Sequence, residues 1–443
     1  MPPSRQGQKG LAQRFSAGQS GKYVPSPVRC VCHSRYLFCT PKVSDKKGMS
    51  RFFAYAPDQV YLLPPNVIEV LGSEHLCFFI HRAVEKFDLQ QFEQAYSSEG
   101  RLAYPPAMML KAWLYAFAIG VSSTRRLERR IQEDLGFRYL AGGLRPDHKT
   151  LSEFLRRHRR AINDVFTQVV QMARRAGLGK LGHVAIDSTR VRANASRHKM
   201  VDLADRQQWA QDRRLVRAFQ QKAAGQDPEE DGGVQLSAQQ QQNLAEQPIP
   251  ALPKKGRQQL SKTDPDSRFL RTAEGWSLGY TADLAVSDDH MIVGARVTQN
   301  ATDNASLVPM VDEVERNCEQ RPEKVTGDAG FFSGAALHEM KRRGIELYVP
   351  DNNLRHEMQS GERAHGIGRC PIRDPEHLLL REKLRSPQGR RIYQRRQAVV
   401  EPVFGILKEQ RGMRKFKRRG LAAVSTEWML AAIAYNLTRM AGV

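Results

Sequence analysis

The chain has 443 residues, of which 69 are lysine or arginine and 47 are aspartate or glutamate, giving a formal net charge of +22. With 40% hydrophobic and 26% charged residues it can bury a core, which excludes a wholly disordered protein. The excess positive charge is too large for an ordinary metabolic enzyme and predicts a polyanionic partner, with nucleic acid as the first candidate.

No segment is typical of membrane insertion or secretion. No uninterrupted apolar run reaches the roughly 18 to 20 residues that span a bilayer, and the first 20 residues lack an apolar stretch. Cys77, Cys318 and Cys370 lie far apart in the chain, which is typical of reduced thiols rather than of a disulfide framework. We therefore expect a cytoplasmic protein.

Residues 1–48 have the composition of a disordered basic extension. They carry nine lysines and arginines against one acidic residue, and they show no apolar periodicity. Cys30, Cys32, His33 and Cys39 are close enough in sequence for a zinc site, but their spacing lacks the two ligand pairs of a structural zinc module. We interpret the segment as a loose extension before the first domain.

Residues 49–177 show helical periodicity, and we expect them to form an all-helical domain. Pro106 is typical of a helix start, and the apolar spacing of three and four residues that follows it ends at Gly120. A second helix is predicted over 124–133, and a third, longer helix from Thr150.

Arginines coat these predicted helices. Arg125 and Arg126 begin such a run on the second helix, and positions 156, 157, 159 and 160 continue it on the third. Short arginine-rich helices separated by glycine turns are typical of a helix-turn-helix DNA-binding domain. Such faces are also common on solvated surfaces, so the pattern alone leaves both interpretations open.

After residue 178 the pattern changes to alternating strands and helices. The predicted elements are strands over 183–187, 276–286, 291–298, 324–328 and 345–349, and helices over 307–318 and 333–343. The two longest strands are expected to form a hairpin. A polar stretch, 205–261, interrupts this order as an insertion. The pattern predicts a mixed α/β sheet with a crossover helix, built from 178–204 and 262–443.

Three carboxylates stand out within this α/β region. Asp187 and Asp328 each end a predicted strand, where an open α/β sheet presents its ligands, and Glu401 is expected near the start of a late helix. Together they would repel each other unless a divalent cation held them, and Mg²⁺ prefers such oxygen ligands. Two ions about 4 Å apart are suited to phosphoryl transfer. A single aspartate at a strand end is more often a turn residue, so the combination carries the prediction.

Several ordered motifs surround these carboxylates. They are Val184-Ala-Ile-Asp187-Ser-Thr, Asp264-Pro-Asp-Ser-Arg268, Gly279-Tyr280, Gly327-Asp328-Ala-Gly-Phe331 and Val400-Glu401-Pro-Val-Phe-Gly-Ile-Leu-Lys408. Taken together, they resemble bacterial insertion-sequence transposases with an Asp-Asp-Glu (DDE) catalytic domain. Met49-Ser-Arg-Phe, Leu63-Pro-Pro and Phe137-Arg-Tyr-Leu-Ala-Gly-Gly143 resemble the N-terminal domain of that family. The resemblance extends from about residue 49 to the C-terminus.

The resemblance implies an RNase H-like mixed sheet with flanking helices, interrupted after its first strand and preceded by an all-helical domain. It implies a DNA endonuclease and strand transferase whose catalytic and metal-binding residues are Asp187, Asp328 and Glu401. The implied cofactor is a pair of Mg²⁺ ions, with Mn²⁺ as a substitute. The implied partners are double-stranded DNA, as element ends and as target, and further copies of the chain, on the nucleoid of a bacterium.

Related transposases carry a Tyr-Arg-Glu-Lys signature around the glutamate, and Tyr393, Arg396, Glu401 and Lys408 resemble it. Here four residues separate the arginine from the glutamate, where that signature has three. Five positions on a continuous helix correspond to about 140°, so Arg396 is expected off the face of Glu401, with Lys408 back on it. Pro402 is expected to start or kink the helix at this point.

A dense basic segment follows the signature. It contains Arg411, Arg414, Lys415, Lys417, Arg418 and Arg419 around Phe416. The cations are suited to DNA phosphates and the ring to base stacking, although a solvated cationic face has the same pattern. The predicted DNA-binding residues are Arg125, Arg126, Tyr393, Arg396, Lys408, Arg414, Lys415, Arg418 and Arg419.

Other polar residues receive a structural interpretation. Asp264, Asp266 and Arg268 are expected to form a proline turn with a local ion pair, in preference to supporting a metal. His183 and His290 are expected to be structural or exposed to solvent. The function predicted is a transposase; the alternatives are a DNA-binding regulator with an inactive catalytic fold and a host nuclease that cuts without joining.

Overall fold

A computed structural model describes residues 66–96, 102–196, 200–202, 259–261, 263–272, 275–360 and 372–442. The predicted extension 1–48, most of the insertion 205–261 and Cys370 lie outside these residues, as does the possible zinc site in the extension. The described residues fall within one compact unit, Pro65–Val443.

Among the described residues, eight helices precede the sheet. They are α1 (Val67–Leu71), α2 (Leu76–Val84), α3 (Gln90–Glu93), α4 (Pro106–Ala118), α5 (Thr124–Glu133), α6 (Leu135–Ala141), α7 (His148–Arg157) and α8 (Arg159–Arg175). The prolines at 105 and 106 open α4, and the Ser123 side chain accepts a hydrogen bond from the Arg126 amide at the start of α5. These are the local start signals from which both helices were predicted.

The long helix predicted from Thr150 is two helices in the structure. The chain leaves helical geometry at His158, which separates α7 from α8. The His158 ring is buried beside Phe92 and Phe154, and its Nε2 lies 3.0 Å from the Tyr96 hydroxyl. Packing of this ring against Phe92 and Tyr96, which lie far away in the chain, overrides the helical pattern, and a local reading of the sequence does not reveal it.

The sheet and its helices follow. The strands are β1 (Val184–Arg192), β2 (Met200–Asp202), β3 (Gln259–Ser261), β4 (Arg268–Thr272), β5 (Gly275–Ser287), β6 (Ile292–Thr298), β7 (Lys324–Gly327) and β8 (Glu346–Tyr348). The helices are α9 (Leu307–Cys318), α10 (Gly334–Arg343), α11 (Asn352–Ser360), α12 (Pro375–Arg385), α13 (Pro387–Gly405) and α14 (Leu421–Met440). A π-helical turn, Ile406–Gln410, continues α13.

The main sheet is mixed, as predicted. Its strand order is β4-β5-β1-β7-β8, with β6 also paired to β5, and β2 pairs separately with β3. β5 is antiparallel to β1, β4 and β6, whereas β7 is parallel to β1 and β8. An antiparallel hairpin beside β1 and parallel strands reached through helices form the mixed α/β arrangement expected of an RNase H-like domain.

Two details of the strands differ from the prediction. β1 does not end at Asp187: it continues to Arg192, because β5 pairs with it over all nine residues. Strands β2, β3 and β4 were not predicted: β2 pairs with β3, at the end of the predicted insertion, and β4 pairs with the first residues of β5. The extension of β1 depends on a partner distant in sequence, whereas β4 pairs with the strand that directly follows it.

The C-terminal helix α14 connects the helical region to the sheet. It packs against α4, α8 and β6, and 15 of its residues are buried. Its Asn436 side chain exchanges hydrogen bonds with the backbone of Ile292 at the start of β6. Although α14 is long and apolar, no helix in the described ranges meets the length and apolarity needed to cross a membrane.

Candidate active site

The register of the sheet places Asp187 and Asp328 side by side. The last parallel pair between β1 and β7 is Ile186 with Gly327, and one aspartate directly follows each of these two residues in the chain. β7 ends here and a 3₁₀ turn, Ala329–Phe331, follows, while β1 continues. The sequence predicted this proximity from the ends of two strands. In the structure the two aspartates meet at the end of β7 and the middle of β1.

Asp187 forms an ion pair with Arg396. The Arg396 Nη1 donates to Asp187 Oδ2 at 2.6 Å, and the Ser188 amide donates to the other carboxylate oxygen at 2.8 Å. Burial raises the pKa of the Asp187 carboxyl, Arg396 opposes this effect, and Asp328 adds to it. The expected repulsion between the carboxylates therefore contributes to the raised pKa of Asp187, but burial is the larger cause of that rise.

Asp328 also faces an arginine. Arg355 Nη1, from α11, lies 3.7 Å from Asp328 Oδ2, and both side chains are about one-third exposed. Nothing in the local sequence marked Arg355, because the contact depends on how α11 crosses the end of β7. The two neighbouring aspartates are thus each balanced by a guanidinium from a different helix.

Glu401 occupies a position different from the one predicted. It lies near the end of the 19-residue α13, not near the start of a helix, and Pro402 lies inside this helix. Its side chain is exposed, whereas Arg396 on the same helix is buried. The two side chains therefore project from different faces, as the five-residue spacing predicts. Burial of Val400 and Val403 holds α13 against the sheet on either side of Glu401.

Within the described ranges, no three His, Cys, Asp or Glu side chains lie close enough together to hold a metal ion. Asp187 and Asp328 nevertheless fit a divalent cation, since they present neighbouring oxygen donors whose mutual repulsion already requires positive charge.

The remaining residues of the signature surround this pair. Tyr393 is half-buried, with its ring 5.9 Å from the Arg396 guanidinium. Lys408 lies in the π-helical turn, close enough to Asp187 for that carboxylate to counteract the lowering of its pKa by burial. Arg396, predicted to bind DNA, is not a surface side chain in this structure, because its partner is Asp187.

The structure corrects the interpretation of two residues in the basic segment. Phe416, expected to stack on a base, is completely buried and contacts Tyr280 and Trp428 edge-on. Arg411 is also buried, and it donates a hydrogen bond to the Thr438 hydroxyl. These two side chains anchor the segment to α14 and are not available to DNA in this structure.

The other predicted DNA-binding residues lie at least partly on the surface. Arg414, Lys415 and Arg126 are exposed, while Arg125, Arg418 and Arg419 are half-buried. Arg414 pairs with Glu409, at 2.5 Å, which neutralises part of its charge. Lys415 has other cations as its charged neighbours.

The polar residues predicted to be structural do form structural contacts. Asp264 is buried, and it accepts hydrogen bonds from the Tyr280 hydroxyl at 2.7 Å and the Gly420 amide at 3.2 Å. It therefore ties the sheet to the start of α14, a longer-range role than the expected turn. His183 is buried between Asp288 and Thr326.

Two family models match the chain. One, described as a transposase domain (DUF772), matches residues 66–157, and the other, described as a transposase DDE domain, matches residues 253–437. The chain belongs to the insertion-sequence DDE transposases. No curated protein and no solved structure matches the chain.

The transposase matches agree with the fold. The first covers α1 to α7, and the second contains the hairpin, Asp328, Glu401 and most of α14. Asp187 lies between the two matched ranges, so its assignment depends on the register of β1 with β7. DDE transposases in general act on DNA with divalent metals, which is the chemistry that two neighbouring aspartates on an RNase H-like sheet are suited to.

Proposed function

We propose that this transposase binds the ends of an insertion sequence and catalyses metal-dependent cleavage and strand transfer of DNA. The catalytic carboxylates are Asp187, Asp328 and Glu401, and the cofactor is a pair of Mg²⁺ ions, replaceable by Mn²⁺. The protein acts as a homo-oligomer on bacterial DNA in the cytoplasm. Its α5 arginines, Tyr393, Lys408 and the exposed cations of the basic segment contact the duplex.

The observation that carries this proposal is the register of β1 and β7. It brings together two aspartates that are 141 positions apart in the chain. A structural role alone would not favour two neighbouring carboxylates, since their repulsion costs free energy unless cations compensate. Here two arginines do so.

The metals, when bound, would supply charge for the reacting phosphate and activate a hydroxyl nucleophile. Asp187 and Asp328 would hold them, with Glu401 as the third ligand. Arg396 and Arg355 pair with the two aspartates and place positive charge beside each carboxylate. Lys408, close to Asp187, adds positive charge at the edge where the negatively charged DNA backbone arrives.

This function is tested by incubating the purified protein with Mg²⁺ and a labelled duplex that carries the element end. The Asp187→Asn variant is the matched inactive control. We expect both cleaved and joined products from the unmodified protein and neither from the variant. Binding without cleavage would support an inactive regulator, and cleavage without joined products would support a host nuclease.

A further inference from the structure

The basic segment continues the sheet beside the end of β1. The Arg192 amide donates to the Arg414 carbonyl at 3.2 Å, and the Phe416 amide donates to the Arg192 carbonyl at 2.9 Å. The next amide in the chain, at Ala193 just after β1, donates instead to the Leu278 carbonyl of β5. Because backbone groups alternate between the two edges of a strand, the segment lies on the same edge of β1 as β7.

This edge of β1 is open between its two partners. Pairing with β7 ends at Ile186, and pairing with the basic segment begins at Arg192. The residues between them, Asp187 to Val191, have no strand partner on this edge within the described residues. The opening therefore has the aspartate pair at one end and the basic segment at the other.

Two carboxylates, the buried Glu427 and the half-buried Asp266, hold the backbone of the basic segment and of the residues that follow it. Glu427 accepts hydrogen bonds from the amides of Lys417 and Arg418 at 3.0 Å each, and Asp266 accepts one from Leu421 at 3.0 Å. Asn194, just after β1, donates to the Lys417 carbonyl at 3.0 Å. With its backbone fixed in this way, the segment presents Lys417 to solvent in a defined place.

Four cations lie near each other here, Arg192 at the end of β1 and Lys415, Lys417 and Arg419 on the basic segment, and we name them the basic saddle. Burial lowers the pKa of Lys415, and Lys417, Arg192 and Arg419 lower it further. Such crowding costs free energy in the protein alone, since like charges repel. An anion that spans several cations would remove this cost, and a nucleic-acid backbone is such an anion.

We propose that the basic saddle binds phosphates of the DNA duplex about five base pairs from the phosphate that reacts at Asp187 and Asp328. Arg192 is five residues beyond Asp187, which is about 17 Å along a strand, and a duplex rises 3.4 Å per base pair. The side chains of Asp187 and Arg192 project to opposite faces of β1, because they are an odd number of positions apart. The duplex therefore follows the open edge of β1 rather than one face of the sheet. This inference rests on the proposed function.

The double variant Lys415→Gln/Lys417→Gln, made in the 443-residue chain, tests the saddle. Each lost phosphate contact lowers the slope of log affinity against log salt concentration by about 0.9, so the slope should fall by about 1.8. Without DNA the variant should unfold at the same or a higher temperature, because charge crowding is relieved. Lys341→Gln/Arg342→Gln is the matched control, since both are exposed cations of α10 paired with glutamates.

Single neutral methylphosphonate substitutions along the element end locate the contact. In the unmodified protein, neutral linkages about five base pairs from the cleavage site should weaken binding, and in the double variant, which keeps Arg192 and Arg419, the same linkages should weaken binding less. An unchanged salt slope, or a sensitivity in the variant equal to that of the unmodified protein, overturns the saddle, while cleavage by the unmodified protein leaves the proposed function intact. Failure of the unmodified protein to bind the duplex overturns both.

Discussion

Arg396 of α13 and Asp187 of β1 are joined by a 2.6 Å hydrogen-bonded ion pair, across 209 positions of sequence. Arg396 is 9% exposed at its side chain and Asp187 is 22% exposed. The pair therefore sets both the charge at the candidate site and the position of α13, because a buried guanidinium has few alternative partners.

Arg396→Gln should destabilise the protein by about 2 to 3 kcal/mol, between the values typical of surface and of buried pairs, because Asp187 would keep its charge without its partner. The neighbouring Arg395→Gln is the matched control. Arg395 is 59% exposed and pairs with Asp288, so its loss should cost no more than about 1 kcal/mol. Urea unfolding of both variants measures the difference.

The double variant Arg396→Gln/Asp187→Asn separates the ion pair from packing. If the pair carries the effect, adding Asp187→Asn should recover part of the stability lost by Arg396→Gln, because no uncompensated charge remains. Equal stability of Arg396→Gln and Arg395→Gln would contradict the role assigned to the pair.

Asp187→Asn, Asp328→Asn and Glu401→Gln should each abolish Mg²⁺-dependent cleavage and leave binding of the element end largely intact. Each change removes a proposed metal ligand and leaves the exposed cations in place. Gel-shift and cleavage assays on the same preparations measure the two properties. Glu409→Gln, another exposed glutamate, which lies just beyond α13, is the control and should still cleave. Cleavage by Glu401→Gln would show that the site contains only the two aspartates.

Asp283 on β5 should make the protein less stable as the pH rises. Burial raises the pKa of this carboxyl to about 7, with Asp303 adding to the effect and Arg296 and Arg190 opposing it. Both carboxylate oxygens are buried, and the Ser306 hydroxyl also opposes the rise in pKa. Because the folded-state pKa exceeds the unfolded one, stability is lost as the pH rises from about 4 to about 7.

Asp283→Asn should remove this loss, so the variant should gain stability relative to the unmodified protein between pH 5 and 7, by about 1.4 kcal/mol per unit at most. Thermal melting across this range measures it. Glu339→Gln is the control, because hydrogen bonds from Arg342 and Arg343 lower the pKa of this carboxyl to about 2. The stability of this variant from pH 5 to 8 should therefore run parallel to that of the unmodified protein. If the stability of Asp283→Asn also ran parallel to that of the unmodified protein over this pH range, the prediction would be contradicted.

Gly279→Ala should destabilise the sheet by about 1 to 3 kcal/mol, as overpacking does. A Cβ at this position of β5 would lie 2.5 Å from the Val191 carbonyl oxygen, and backbone on both sides fixes that atom. Gly334→Ala, at the first residue of α10, meets no atom within 4 Å and should be neutral or slightly stabilising. Chemical denaturation of the two variants provides the comparison.

The sequence by itself determined the elements whose signals are local. The helices over 124–133 and 307–318 have the predicted bounds, because apolar periodicity and end residues act within a few positions. The hairpin turns where a short polar run separates two strands. The proximity of Asp187 and Asp328 was also predictable, since parallel strands end at one edge.

Only the tertiary structure decided where each charged side chain lies. Arg396 could be read from the sequence as a DNA contact, but its partner is Asp187; Phe416 could be read as a stacking ring, but it is a core residue. The extension of β1 past Asp187 depends on pairing with β5 about 100 positions away. Burial and ion pairing depend on which distant elements meet, and periodicity along one segment contains no information about that meeting.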